Sequence, residues 1–410
     1  MKKIVLFVTI ILTTFSVYSQ SNNFDKTKVR KDFSQIIQNI KSSYVYLDDK
    51  MLDMNCVEER YSTKIDLLNN QADVILFFEY LLNEFYDSHI SLSTNIRESY
   101  RLSSPIYIEL NNGKAFIKNV WQTQIVNLDK NILGSEILKF NGVDFNKNID
   151  DFPSICNDKT LSEVRNWIAN KIVSGKYNEP RLLTLKLKDG EIIQLDLDKF
   201  NFKKENELLT YRIDNGIGVI RINNSLGNNK LISEFDKVLD VLFDTKGLII
   251  DLRNTNNGGN SYVAKGIMGR FINEELPYQK HMYVESYDNQ PKIVRSWFEL
   301  VSPRGNQYKK PIIVLVGRWT GSMGEGIAIG FDAMERAEIV GSEMKRLGGS
   351  DFDFRFSNQN FGYKLILEKL YHLDGTPREL YVPTNYVEQS TIEKDETLEK
   401  GIELINKMVR

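Results

Sequence analysis

Two apolar runs, GLII at 247–250 and PIIVLV at 311–316, each lead into a glycine-bearing turn and then into a segment of helical periodicity. A short uninterrupted apolar run bounded by turn residues has no polar face to offer water, so it reads as a strand covered on both sides. Their neighbours complete the pattern: the strand signal RIDNGIGVIRI, a helix over KLISEFDKVLDVLFD, GLIIDLR, a helix over SYVAKGIMGRFI, a polar stretch, PIIVLV, an apolar helix opened by Ser322, the strand AEIVGS and a helix over TLEKGIELINKMV. Strands alternating with helices imply an α/β layer built on a largely parallel sheet.

The chain upstream is of a different kind. From Phe24 to Phe85, apolar residues recur at helical spacing, as in ADVILFFEYLLNEFY, whereas residues 98–202 break into short alternating runs such as YIELNNGKAFIKNVW and LLTLKLKDGEIIQLDL. The expected organisation is therefore a segment 1–19, a helical segment 20–97, a small β-rich module 98–205 and the α/β core 206–410. Residues 1–19 begin with Lys2 and Lys3, continue through an apolar stretch too short to span a bilayer, and end on small residues, the pattern of an export signal. A periplasmic or secreted protein is expected. Cys56 and Cys156 are the only cysteines of the 410 residues, and in an oxidising compartment they either pair or stay buried as thiols. With a net charge of −2 and no basic run, nucleic acid and anionic membrane are excluded as natural partners.

The chemistry centres on Ser322. In RWTGSMGEG the serine ends a strand turn and begins a helix, where unpaired backbone N–H groups and the helix dipole favour an anion. S-x-x-E is also a capping box, Ser322 with Glu325, and a cap is the plainer reading of the segment alone. A serine nucleophile needs a base, an orienter for it and donors for an oxyanion. Three histidines are present, and His89 in YDSHISL stands beside Asp87 and Ser88, either of which could fix its tautomer. The turn NTNNGGN carries Gly258 and Gly259, whose amides could face a developing negative charge.

The combination GLIIDLRNTNNGGN, PIIVLVGRWTGSMGEG and AEIVGS resembles the serine peptidase family of the C-terminal processing (tail-specific) proteases and the tricorn core, closer to the tricorn-like branch. The resemblance implies a crotonase-like αβ catalytic core in which Ser322 is the nucleophile and the amides of Met323 and of Gly258 or Gly259 form the oxyanion hole. It further implies His89 as base with Ser88 in its relay, and Glu379, in DGTPRELYVPTNYV, as the accompanying acid. The C-terminal processing branch pairs its serine with a lysine, where this chain has Leu347, with Lys345 two residues earlier. NILGSEILKFNGVDF resembles part of a PDZ-like domain, so the module at 98–205 is expected to be PDZ-like.

The function that follows is that of an exported serine peptidase acting on peptides or unfolded proteins, requiring no cofactor and no metal. A non-catalytic peptide-binding or scaffolding protein that keeps the peptidase fold is the alternative, motivated by Leu347. A crotonase-like acyl-thioester enzyme is a weaker third, because no coenzyme-binding signal is present.

Overall fold

The computed structural model describes residues 24–285 and 290–410, so the expected export segment at 1–19 lies outside the described residues. Its central sheet runs in the order Asn385–Tyr386, Glu338–Gly341, Ile312–Val316, Gly247–Asn254, Ile217–Asn223, Leu209–Asp214. All neighbours are parallel except the last pair, a hairpin turned by Asn215 and Gly216. Both turn residues have positive φ, 51° and 83°, the combination that matches the twist of a two-residue hairpin.

Strands Gly247–Asn254 and Ile312–Val316 are buried throughout, as expected of strands covered on both faces. Leu248, Ile250, Leu252, Ile312, Val314 and Val316 join one core with the helices Leu231–Val241, Ser261–Met268 and Met323–Ala333. Ile249, Ile313 and Leu315, one residue out of phase, pack on the opposite face with Ile405 of the helix Glu396–Met408. A strand's period of two thus feeds two layers, and each fully buried aliphatic side chain contributes about 1.5–3 kcal/mol.

The stretch between Ile272 and Pro311, read as polar, in fact holds two strands, Leu276–Glu285 and Ile293–Val301, paired antiparallel. They extend a second sheet, in the order Ser91–Leu92, Gly362–Tyr371, Leu276–Glu285, Ile293–Val301, with Ser350–Arg355 paired to the Gly362 strand. The ribbon escapes an apolar-run search because much of it is solvated: Ile293, Val294 and Phe298 are 62, 63 and 55% exposed.

Helices Lys26–Ser43, Met54–Lys64 and Gln71–Asn83 make an N-terminal helical layer, and they share a core with Tyr363 and Leu365 of the second sheet and with Phe356 and Phe361 of the turn before that strand. The first and last thirds of the chain are therefore one packing unit at this point. The β-rich module is a third sheet, in the order Ile106–Asn111, Lys114–Val120, Glu136–Phe140, Leu182–Lys186, Ile192–Asp196, on which helix Ser162–Ser174 packs through Val164, Ile168 and Ile172.

Cys56 and Cys156 form a disulfide, with Cα atoms 5.8 Å apart, joining the helical layer to this module. Beside it the buried Glu84 carboxylate accepts hydrogen bonds from the amides of Ile155, Cys156 and Asn157 at 2.7–3.0 Å and from the Tyr61 hydroxyl at 2.7 Å.

Candidate active site

Strands Gly247–Asn254 and Ile312–Val316 are adjacent and parallel, so their C-terminal turns meet at the same edge of the sheet. Close approach of the two turns depends on glycine. A Cβ on Gly258, whose φ is +65°, would lie 2.4 Å from Ser322 Cβ. One on Gly321 would lie 2.6 Å from the Asn256 carbonyl oxygen. Further hydrogen bonds join the turns, Gly321 N–H to Thr255 O at 3.3 Å and Thr320 Oγ1 to Leu252 O at 3.1 Å.

Ser322 stands at the junction with φ 50° and ψ −110°, a sparsely populated conformation for a residue with a side chain. Holding it costs about 1–3 kcal/mol, so its surroundings must over-determine it. Glu325 supplies much of that constraint. The capping box read from the sequence closes, with Glu325 Oε2 accepting from Ser322 N–H at 2.7 Å. The same carboxylate accepts from Arg346 N–H at 2.8 Å and Leu347 N–H at 3.3 Å, tying the segment after strand Glu338–Gly341 to the serine turn. Burial pushes the Glu325 carboxyl up from its ordinary range, and three backbone donors favour its charged form against that.

Among the candidate oxyanion amides, Gly258 N–H donates within its own turn to Thr255 O at 2.9 Å. Among the described residues, the amides of Gly259 and Met323 have no hydrogen-bond acceptor. They are the two free donors of the candidate set.

His89 lies 259 residues from Gly348 in sequence, yet its Nδ1 is 2.6 Å from the Gly348 carbonyl oxygen. A carbonyl only accepts, so Nδ1 carries the proton and Nε2 keeps its lone pair when the ring is neutral. Nε2 is 3.6 Å from Asp351 Oδ1. Burial, followed by the nearby Arg378, lowers the His89 pKa below its ordinary 6.5, while Asp351 opposes this. Gly348, rather than Asp87 or Ser88, orients the ring. Asp87 accepts instead from the His89 main-chain N–H at 2.8 Å and from the Tyr44 hydroxyl at 2.7 Å. Among the described residues no hydrogen bond joins His89 to Ser322.

Lys345 approaches the serine turn from the other side. Its Nζ donates to Asn256 O at 3.1 Å, and its Cδ lies 3.1 Å from where a Cβ on Gly321 would be. Burial pushes the amine down to about 8, with Arg318 adding to the fall and Glu325 opposing it. Leu347 is buried and serves the site through its amide.

A cavity of about 630 Å³ adjoins these groups, lined among others by Tyr46, Ser88, Arg318, Lys345, Gly348 and Glu379. It brings Ser88 and Glu379 to one wall system with Lys345. The buried Tyr46 hydroxyl and the Glu379 carboxyl are hydrogen-bonding neighbours. Burial and then the Glu379 charge push the Tyr46 phenol well up.

Residues 216–384 match the model of peptidase family S41. Residues 25–83 match that of the tricorn protease C1 domain, so the resemblance read from the sequence holds for both the core and the N-terminal helices. No curated protein matches the chain. Solved structures share the fold at low identity. Mature CPAF complexed with lactacystin is 14% identical with a TM-score of 0.62, covering 94% of this chain and 98% of that one. The photosystem II D1 C-terminal processing protease is 14% identical with a TM-score of 0.54, covering 94% and 98%. A protein of Parabacteroides merdae is 15% identical with a TM-score of 0.56, covering 92% and 96%. The S41-like fold is therefore a mixed α/β structure spanning most of the chain.

Within this S41-like fold the other two histidines stand in polar contacts of their own. His281 bonds Glu368 and Gln279 and stacks on Trp297, and His372 lies between Asp332 and Asp374. Sequence reasoning missed the roles of Gly348, Asp351 and Arg378. A carbonyl oriented onto a ring from 259 residues away leaves no local signal, because any residue type supplies it.

Proposed function

We propose that the protein is an exported serine peptidase in which Ser322 attacks the peptide carbonyl and the Gly259 and Met323 amides stabilise the resulting oxyanion. The observation that carries this reading is the Ser322 backbone, held at positive φ against a turn that only glycine permits, with two adjacent amides left free. Strain of this kind is retained where the surroundings over-determine it, and a mere helix cap does not need it. Export is supported by the pattern of residues 1–19 and by the disulfide. In this reading residues 206–410 are a crotonase-like core and residues 98–205 a PDZ-like module.

His89 is the proposed base. Its Nδ1–H is fixed by Gly348, its Nε2 is free to take a proton, and Ser88 and Glu379 belong to the adjoining cavity wall. Contact with Ser322 is then made when substrate closes the site, since such hydrogen bonds commonly tighten only in the loaded enzyme. A second reading has Lys345 as base, favoured by its place beside Gly321 and its amine lowered to about 8.

The pH dependence separates the two. A base must be unprotonated to act, so kcat/KM rises as pH passes upward through the free enzyme's pKa. A His89 base puts that rise below pH 6.5, and a Lys345 base puts it near pH 8. Hydrolysis of a fluorogenic unfolded protein across this range, with His89→Ala and Lys345→Met compared, makes the assignment. Activity that survives Ser322→Ala overturns the peptidase mechanism itself.

A further inference from the structure

The carbonyl that orients His89 lies in a segment with no strand pairing of its own, residues 342–349, between the strands Glu338–Gly341 and Ser350–Arg355. Arg346 and Gly349 hold positive φ there, 61° and 49°, so the segment is not a regular element that fixes its own carbonyls. Its amides face the nucleophile side: Lys345 N–H donates to Thr320 O at 2.9 Å, and the Arg346 and Leu347 amides donate to Glu325. Its carbonyls are held by a different group. Arg378 Nη2 donates to Leu347 O at 3.0 Å and to Gly349 O at 2.6 Å, and the carbonyl between those two is the one that meets His89 Nδ1.

Arg378 opens the one-turn helix Arg378–Leu380 and is 2% exposed. Among the described residues it forms no ion pair. A guanidinium buried without a directly bound carboxylate costs more than an apolar side chain of its size, so the two carbonyls it holds are what the position gains. Around it stand Glu325, whose charged form it favours, the phenols of Tyr46 and Tyr278, the His89 ring and the adjoining Glu379. Around the ring stand Arg378, Asp351 and Asp87; Asp351 also binds Lys364, and Asp87 accepts from the Tyr44 hydroxyl. Burial and then Arg378 disfavour the imidazolium, while Asp351, the Gly348 carbonyl and Asp87 favour it. One side chain therefore both aims the carbonyl at Nδ1 and helps to keep Nε2 unprotonated.

We propose that Arg378 is a positioning residue for His89, acting through Gly348: by holding the carbonyls on either side it fixes the one between them, and with it the tautomer and direction of the ring. For catalysis this rests on the reading of His89 as base; for the placement of the ring it does not. Packing demands glycine along the link. A Cβ on Gly349 would lie 2.0 Å from Glu368 O, and one on Gly348 3.1 Å from Tyr46 Cε2. Two consecutive glycines are the most permissive backbone a chain can have, and the guanidinium supplies from outside the rigidity they lack.

NMR of the full chain carrying ring-labelled histidine tests this, because the sequence has three histidines and His89→Gln identifies the signal of one. The wild type is expected to show a single Nδ1–H tautomer at His89 and titration below pH 6.5. Arg378→Met frees both carbonyls and removes the cation, so the tautomers mix, the titration moves to higher pH, and the acid limb of kcat/KM moves with it. There kcat falls about tenfold to 100-fold with KM within about twofold, because a misaimed base leaves binding intact. Arg378→Lys keeps the charge without the planar two-bond hold, so the titration stays low while the tautomers mix, and it carries the test if Arg378→Met does not fold. An unmixed tautomer with unshifted titration in folded Arg378→Met, or an unmixed tautomer in Arg378→Lys, overturns the proposal. The expected change at the ring together with undiminished kcat/KM in His89→Gln overturns the base assignment alone and leaves the positioning standing.

Discussion

The two sides of the site are built differently. The nucleophile side comes from two adjacent parallel strands and their turns, and nearly every group in it is fixed. Gly258 and Gly321 interlock the turns, Glu325 binds three amides, and Ser322 is held in a conformation it would not choose. The candidate base side brings Lys345 and Glu379 from separate parts of the chain to one cavity wall, with His89 held on Gly348 of that wall. There Tyr46 and Glu379 are hydrogen-bonding neighbours of each other, and among the described residues no hydrogen bond joins His89 to the serine. Under the proposed mechanism, the contrast means that the oxyanion donors are preorganised by the fold, while the proton-transfer geometry is left for substrate to complete.

Breaking the rigid side has the larger effect. Gly258→Ala forces a Cβ to within 2.4 Å of Ser322 Cβ, so the turns must separate and the amide donors move away from the oxyanion position. A displacement of about 1 Å costs on the order of 100-fold in kcat/KM, measured by steady-state hydrolysis. Wild-type turnover in this variant would show that the interlock is irrelevant.

Glu325→Gln sharpens the comparison at lower cost. It keeps the shape of the side chain but replaces one acceptor oxygen by a donor that faces backbone N–H groups. Mispaired buried groups cost about 1–3 kcal/mol, to be read as a drop in unfolding free energy in urea, with reduced acylation of Ser322. No change in either quantity would detach Glu325 from the nucleophile.

Cys56→Ser has the smallest expected effect on chemistry, since the disulfide lies between the helical layer and the β-rich module, away from the serine turns. It closes a loop of 100 residues in sequence. Removing such a cross-link costs about 2–5 kcal/mol of stability, while kcat under folding conditions stays near wild type. Equal loss of stability and turnover would couple the module to the site more tightly than its contacts suggest.

The same division governs what the sequence disclosed. The sheet and the Ser322 turn were legible because GLII and PIIVLV are contiguous and their turns are spelled in glycine. The capping box appeared from four residues, although nothing in them announced that Glu325 also binds Arg346 and Leu347. The ribbon at 276–301 was hidden by its solvated faces, and the disulfide by a separation that gives no hint of proximity. On the base side the orienting group of His89 is a backbone carbonyl, which has no sequence signature. Residue type reveals chemistry when the side chain does the work, and it is silent when the main chain does.

The central claim is that Ser322 is the nucleophile on the fixed side of the site. The direct measurement is reaction of the folded protein with a fluorophosphonate in the presence of peptide ligand, followed by peptide mapping of the adduct by mass spectrometry. One adduct is expected, on Ser322, lost in Ser322→Ala. A folded, ligand-binding protein that forms no adduct, or forms it on another residue, would contradict it.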